Sequence, residues 1–401
     1  MAVPKIRLKG FDADWEKSNF GNFGSVAMCK RIFKDQTSPI GDIPFFKIGT
    51  FGLKPDAYIT RELYNEYKSK YSFPSKGDIL ISAAGTIGRT IVYSGDDAYF
   101  QDSNIVWLNH NDQLNNAFLK YLYSIVNWAS LEGATIKRLY NSNILQTEIV
   151  IPEYTEQEAI SNYFQSLDLL IEATGKKIAT LKQTKQASLQ SMFPQEGETK
   201  PRVRFKGFTD EWKNIELSEL FDFYKGRGLS KEKLNSKGQF NCILYGEIFT
   251  KYDFVVNDCI SKTDIQEGFP SVCGDIIMPG STTTSGIDLA KAVYVPFNEV
   301  LYGGDIIVLR PKIPKYINSF FIATLSSCIN RENIAMVSQG TTIVHLHAHN
   351  IAGLIYLIPS VEEQAKIAEY FSNLDKQIFI QEQRLDKLKQ IKSACLKNMF
   401  V

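Results

Sequence analysis

Three histidines alternate late in the chain: His345, His347 and His349. On a strand, alternate side chains point to one face, and three imidazoles on one face suit a metal such as zinc. The matching positions of an earlier, similar stretch are Arg138, Tyr140 and Ser142, which cannot ligate a metal as a triad. No metal is therefore expected, and a variable polar face is the better reading. GTIGRT at 85–90 has neither the spacing nor the lysine of a Walker A loop, and KGRGLS at 225–230 is too short for a dinucleotide fingerprint. The chain holds no Pro-Pro pair, so it has no amino-methyltransferase box, and it holds no G-x-S-x-G elbow. No catalytic residue is assigned. What remains is charge and hydrogen bonding. Lys47, Arg61, Arg89, Gln101, Lys137 and Arg138 in the first half, and Lys225, Arg227, Lys251, Lys291 and His345 in the second, are types that meet phosphates and base edges. Two loops of small residues, 82–90 with Ser82 and Thr86, and 279–286 with Thr282, Thr283 and Thr284, permit close backbone approach to such groups.

These residues fall between landmarks that occur twice. Residues 151–193 and 358–400 align without a gap at an offset of 207, sharing Ile-Pro, Glu-Gln, Tyr-Phe, Leu-Lys-Gln and Met-Phe. PKIRLKGFDADW at 4–15 returns as PRVRFKGFTDEW at 201–212, an offset of 197, so the second region carries a net ten extra residues. A fixed internal repeat dictates the architecture. Between the landmarks the halves diverge but keep one outline. Strands are expected at 45–50 and 244–249. A Gly-Asp-Ile turn at 77–79 and 274–276 feeds a buried strand, followed by the small-residue loop. Strands at 91–93 and 292–295, and at 104–108 and 305–309, come next. Helices fit 117–130 and 317–328. Gly-x-Thr-Ile at 133–136 and 340–343 then leads into a strand that ends at the Ile-Pro.

Each large repeat reads as one long helix. Ile160, Phe164, Leu167, Ile171, Thr174, Ile178, Leu181, Lys185, Ser188 and Met192 step by four and three. Ile367, Phe371, Leu374, Ile378, Gln381, Leu385, Leu388, Lys392, Cys395 and Met399 repeat the pattern. That is a heptad seam, apolar for most of its length. About 40 residues at ~1.5 Å each make a rod of about 60 Å. Pro152 and Pro359 precede the helices, where a missing N–H costs little. Two exposed seams in one chain can bury each other; a plain coiled-coil hairpin would do so too, but would not repeat outside the helices. The boundaries read 1–153 and 201–360 for the globular regions, 154–193 and 361–401 for the helices, and 194–200 for a polar linker. The order is circular in pattern, so the termini are expected near one another.

Hydrophobic content of 44% and charged content of 22% suit a globular protein with real cores. The net charge of +1 gives no global attraction to nucleic acid. Six scattered cysteines without a Cys-x-x-Cys are expected to be reduced thiols in a cytoplasmic protein. The first residues lack the apolar core of a signal peptide, and no run of 18 apolar residues suggests a membrane span.

The duplicated order of Leu-Lys-Gly-Phe or Phe-Lys-Gly-Phe, then Trp15 or Trp212, Gly-Asp-Ile, Gly-x-Thr-Ile and the Ile-Pro…Glu-Gln…Leu-Asp…Leu-Lys-Gln helix resembles the specificity subunit of type I restriction–modification systems. The resemblance covers essentially the full chain. It implies an α+β fold with two target-recognition domains of mixed α/β structure, joined by two long antiparallel helices in a pseudo-two-fold arrangement. It implies that each domain reads one half of a bipartite site in double-stranded DNA. The helices would set the spacer and dock two methyltransferase subunits, with restriction subunits completing the complex. The chain itself would hold no catalytic residue and no cofactor; S-adenosylmethionine, ATP and magnesium would belong to partners. The near-neutral charge fits if those partners supply much of the phosphate contact. Two other classes compete: a nuclease or methyltransferase acting alone, and a coiled-coil adaptor without DNA specificity.

Overall fold

The computed structural model describes residues 3–128, 138–195 and 197–401. The chain forms two compact units, Met1–Lys176 with Gln383–Val401, and Lys177–Glu382. The long helices are Tyr154–Met192 and Val361–Asn398, so each unit holds one globular region and a length of both helices.

Their starts explain the repeated motifs. Glu156 of the first Glu-Gln is 1% exposed, yet a guanidinium and an indole N–H satisfy it. Arg7 grips it with two bonds of 2.8 and 2.7 Å, and the Trp15 indole N–H donates to it at 3.2 Å. Gln157 donates to the Pro152 carbonyl at 3.0 Å and accepts from the Asn115 backbone N–H, also at 3.0 Å. The second copy repeats this. Arg204 grips Glu363 at 2.8 and 2.6 Å, and Gln364 joins the Pro359 carbonyl to the Asn318 N–H. The entrance segment continues into a strand that pairs antiparallel with the strand before the Ile-Pro: Glu16–Asn19 with Glu148–Ile151, and Lys213–Glu216 with Ile355–Ile358. One carboxylate thus ties entrance, exit strand and helix together.

In both units the helices run antiparallel. Tyr163 meets Cys395 at 3.4 Å and Asp168 meets Lys392 at 2.5 Å in the first. In the second, Ser188 meets Tyr370 at 2.8 Å, Lys185 meets Asp375 at 2.5 Å and Lys182 meets Glu382 at 2.6 Å. Seam residues Ile160, Phe164, Leu167, Ile178, Met192, Ile367, Phe371, Leu374, Ile378 and Met399 are buried, and Ile171, Leu181, Leu385 and Leu388 are half-buried. The aromatic ends of the helices are core residues. Phe400 packs on Phe118 and Phe164 at 5.3 and 5.9 Å between ring centres, and Phe193 packs on Phe321 and Phe371 at 5.6 and 5.7 Å. Each helix therefore finishes in the core of a unit whose globular region lies elsewhere in sequence. No helix of the described residues is long and apolar enough to cross a membrane.

The globular regions share the strand order of their main sheet. A four-stranded antiparallel sheet is ordered Gly24–Ala27, Ile105–His110, Ile79–Ser82, Thr90–Val92 in the first. It is ordered Phe221–Lys225, Ile306–Pro311, Asp275–Pro279, Val293–Val295 in the second. A smaller sheet holds a parallel pair in each: Ile43–Phe46 beside Tyr99–Phe100, and Phe240–Ile243 beside Leu301–Tyr302.

Several expected elements differ. The strand expected at 45–50 ends at Phe46, and the chain turns, with the Thr50 N–H on the Lys47 carbonyl at 3.0 Å. Residues 244–249 are not a strand: Tyr245–Thr250 is a helix, because Glu247 accepts the Leu244 N–H at 2.8 Å and caps it, while the strand lies just before. The helix expected at 117–130 covers only Asn116–Leu122, and 129–130 lie outside the described residues, as do 133–136. Short helices Asn141–Gln146 and Ala348–Ala352 intervene before the final strands, and their few residues show no periodicity to read. His345 lies on a two-residue strand, but His347 precedes the helix and His349 is in it, so the three are not on one strand.

The two equivalent Lys–Asp pairs of the helices differ in their surroundings. Burial opposes ionisation of Asp168, but Lys392, Lys120 and the Tyr121 hydroxyl outweigh it and hold the carboxyl below its usual range. Asp375 has Lys185 on one oxygen, and its other oxygen is buried without a partner among the described residues. Burial dominates there and raises its pKa to about 6. A carboxyl that binds its proton more tightly when folded adds stability below its unfolded pKa and loses it as pH rises through about 6. Between pH ~4 and ~7 that loss is expected to be on the order of 2 kcal/mol. Urea unfolding of the wild type and Asp375→Asn across this range checks it: the stability difference between them should slope with pH, and a flat difference would contradict the assignment.

Candidate nucleic-acid interface

The Gly-Asp-Ile turns set the direction of the central strands. Gly77 and Gly274 have φ of +98° and +105°, which a side chain would oppose. Asp78 and Asp275 close the turns by accepting the Ser75 and Val272 N–H groups at 2.7 and 2.9 Å. Each strand then runs to the far end of its sheet. In the first unit Ser82 pairs there with Ile105 and Ile81 with Thr90. In the second Pro279 pairs with Ile306, Ile277 with Val293, and Lys225 with Ile307. The expected contact residues gather largely at this end.

In the first unit Ser82 is 2% exposed. Its hydroxyl donates to the Thr86 carbonyl and accepts from the Arg89 N–H at 3.0 Å, so it closes the loop and offers no free hydroxyl. Thr86 is exposed at the tip. Arg89 lies over the Phe51 ring, 5.5 Å from its centre, with no carboxylate partner among the described residues. Gln101 accepts the Ile48 N–H at 2.9 Å, which brings the Lys47 turn beside it; Lys47 itself pairs with Asp56 at 2.8 Å. Arg138 donates to the Ser103 carbonyl at 3.1 Å and lies over Tyr140. Arg61 stands apart: it starts the helix Arg61–Lys70 and pairs with Asp97 at 2.8 Å, beyond the outgoing end of Thr90–Val92. Lys137 lies outside the described residues.

In the second unit Ser281 pairs with His345 and donates to the Asp305 carboxylate. Thr282 and Thr284 share a 2.8 Å hydroxyl contact, and Thr284 donates to Asp288 at 2.6 Å; Thr283 is exposed. Lys225 and Arg227 are exposed, without a carboxylate partner among the described residues. Lys251 is exposed at the end of Tyr245–Thr250. The three histidine rings lie nearly parallel, with centres 6.2 and 5.5 Å apart. No group of three ligand side chains fit for a metal occurs among the described residues.

A cleft of ≈ 940 Å³ opens beside this loop, lined by Thr282, Thr283, Thr284 and Lys291, and also by Tyr245, Asp253 and Arg331. The last three carried no sequence signal of their own, since what places them at the cleft is packing rather than a motif. Burial lowers the pKa of Lys291, and Asp253 opposes that shift.

The chain belongs to the family of the type I restriction modification DNA specificity domain, matched at residues 12–183 and again at 209–390. It is a specificity subunit with two such domains rather than an adaptor without DNA specificity. A putative type I restriction enzyme specificity subunit of Haemophilus influenzae is 55% identical over 151 residues, which span 37% of this chain and only 39% of that protein. The MjaVIII specificity subunit of Methanocaldococcus jannaschii is 20% identical over 335 residues, 80% of this chain and 74% of the relative. The type I restriction–modification system S subunit from M. genitalium has the same fold, with a TM-score of 0.64 at 18% identity over 100% of this chain and 99% of that one. A chain from a study of complex assembly and conformational transition of the type I R-M system gives 0.52 at 14% identity, covering 98% and 99%.

Arg89 is the cation of the first loop without a carboxylate partner. Arg89→Ala is expected to weaken DNA binding roughly three- to tenfold, with a shallower salt dependence if it meets a phosphate. Filter or anisotropy titrations at several salt concentrations measure both; unchanged affinity and slope would remove Arg89 from the interface.

Proposed function

We propose that each domain reads one half of a bipartite, asymmetric site in double-stranded DNA through the loops at the far end of its four-stranded sheet. One observation carries this reading: two frames with the same strand order in the main sheet present, at the same sheet end, loops that differ in nearly every polar residue. Frames alike in backbone place the two surfaces equivalently, while unlike side chains select unlike bases. The two long helices join the domains and set the spacer between the half-sites. Their two similar outer surfaces dock two methyltransferase subunits, and restriction subunits complete the assembly.

The chain acts by binding. Methyl transfer and cleavage belong to the partners, which bring S-adenosylmethionine, ATP and magnesium, and the complex works in the cytoplasm. A surface of mixed sign, with a net charge of +1, leaves part of the phosphate contact to those partners.

Replacing residues 16–150 by the matching region of another family member should change one half-site and leave the other, read by genome-wide methylation mapping. A change in both halves would contradict the modular reading, as would methylation or cleavage by the purified chain alone.

A further inference from the structure

Asp253 stands between two lysines in the second unit. One oxygen accepts from the Lys185 ammonium at 3.1 Å, and the other lies 4.0 Å from the Lys291 ammonium. Lys185 belongs to the helix seam: it is 7% exposed, bonds Asp375 at 2.5 Å and sits 3.8 Å over the centre of the Phe254 ring. Lys291 belongs to the cleft. Arg331 lines the same cleft, and its guanidinium makes one long bond, 3.4 Å, to the Ile287 carbonyl, with no carboxylate partner among the described residues. The nearby Asp288 carboxylate is occupied by the Thr284 and Ser285 hydroxyls. The cleft thus offers two incompletely paired cations beside the exposed Thr283.

Two cations and a hydroxyl around an open cleft match a phosphodiester, which accepts charge-assisted bonds on two oxygens. A carboxylate 4.0 Å from Lys291 is a weak competitor for it, and it is already bonded to Lys185. Resting on the DNA-reading role above, we propose that Lys291 and Arg331 form a phosphate site for the DNA backbone at the second half-site. In this site Asp253 is the competing counter-ion: it pairs with Lys291 in the DNA-free chain and yields it to the phosphate. A chain of charge, Lys291–Asp253–Lys185–Asp375, then links the DNA contact to the helix seam. In the first unit Asp168 instead joins Lys392 of the seam to Lys120 and Tyr121 of the helix Asn116–Leu122.

The test uses the full chain assembled with its methyltransferase and a duplex carrying the mapped site. Lys291→Gln and Arg331→Gln should each weaken binding roughly five- to tenfold at about 0.1 M salt and reduce the salt slope by about one. Asp253→Asn should do the opposite, tightening binding by about two- to fivefold. That gain should vanish in the Asp253→Asn/Lys291→Gln double variant, and Asp253→Glu, which keeps the charge, should stay within about twofold of wild type. A merely structural Asp253 would instead give weaker binding, additive with Lys291→Gln, and would overturn the counter-ion role. Unchanged affinity and slope in both cation variants, with wild type still binding its site, would overturn the phosphate site alone. Tight, Lys291-dependent binding of inorganic phosphate by itself would assign the cleft to a free anion and overturn the diester. Failure of the wild-type complex to prefer any duplex sequence would overturn the reading beneath it.

Discussion

A buried carboxylate at the start of each long helix is the constraint on which the rest depends. Glu156 and Glu363 are each 1% exposed, and a charge so placed is tolerated only when fully paired. Arg7 and Arg204 supply that pairing with Nε and Nη2 of their guanidinium groups, one on each carboxylate oxygen. Removing one partner of such a pair typically costs about 3–5 kcal/mol. The geometry is demanding, and it fixes where the entrance segment, the exit strand and the helix meet. The same knot therefore appears in both units, although the domains between have drifted apart.

From that knot the helices carry the order to the other end. Their seams are mostly apolar, and Phe193 and Phe400 finish each helix inside an aromatic cluster of a core. Burying such a ring is worth roughly 2–3 kcal/mol. The second unit is less completely satisfied than the first. Among the described residues the Trp212 indole N–H finds no acceptor where Trp15 has Glu156, and one Asp375 oxygen has no partner where Asp168 has a lysine and a tyrosine.

The loops at the end of each main sheet depend on this frame without being determined by it. The sheet topology brings the loops after the central strands to one end together with the starts of the neighbouring strands. At that end some side chains close the loop and others are left to meet a partner. Ser82 and Gln101 hold backbone; Arg89, Lys225 and Arg227 have no carboxylate beside them among the described residues. Arg61 instead pairs with Asp97, away from that sheet end.

The sequence by itself determined the duplication, the two long helices with their seams, the Gly-Asp-Ile turns and the family. Each of these is written in local spacing: a period of seven, a glycine that must take positive φ, an ungapped repeat. Short elements escaped it. The helix at Tyr245–Thr250 follows from one glutamate capping its own backbone, which apolar content masks. The histidines, spaced like a strand, straddle a strand and a helix. Only the tertiary structure decided which cations are free and which are tied. Asp253 and Lys185 are 68 positions apart in sequence, and Lys185 and Asp375 are 190 apart. Whether a charge is available depends on the partner beside it, and that partner is chosen by packing rather than by neighbours along the chain.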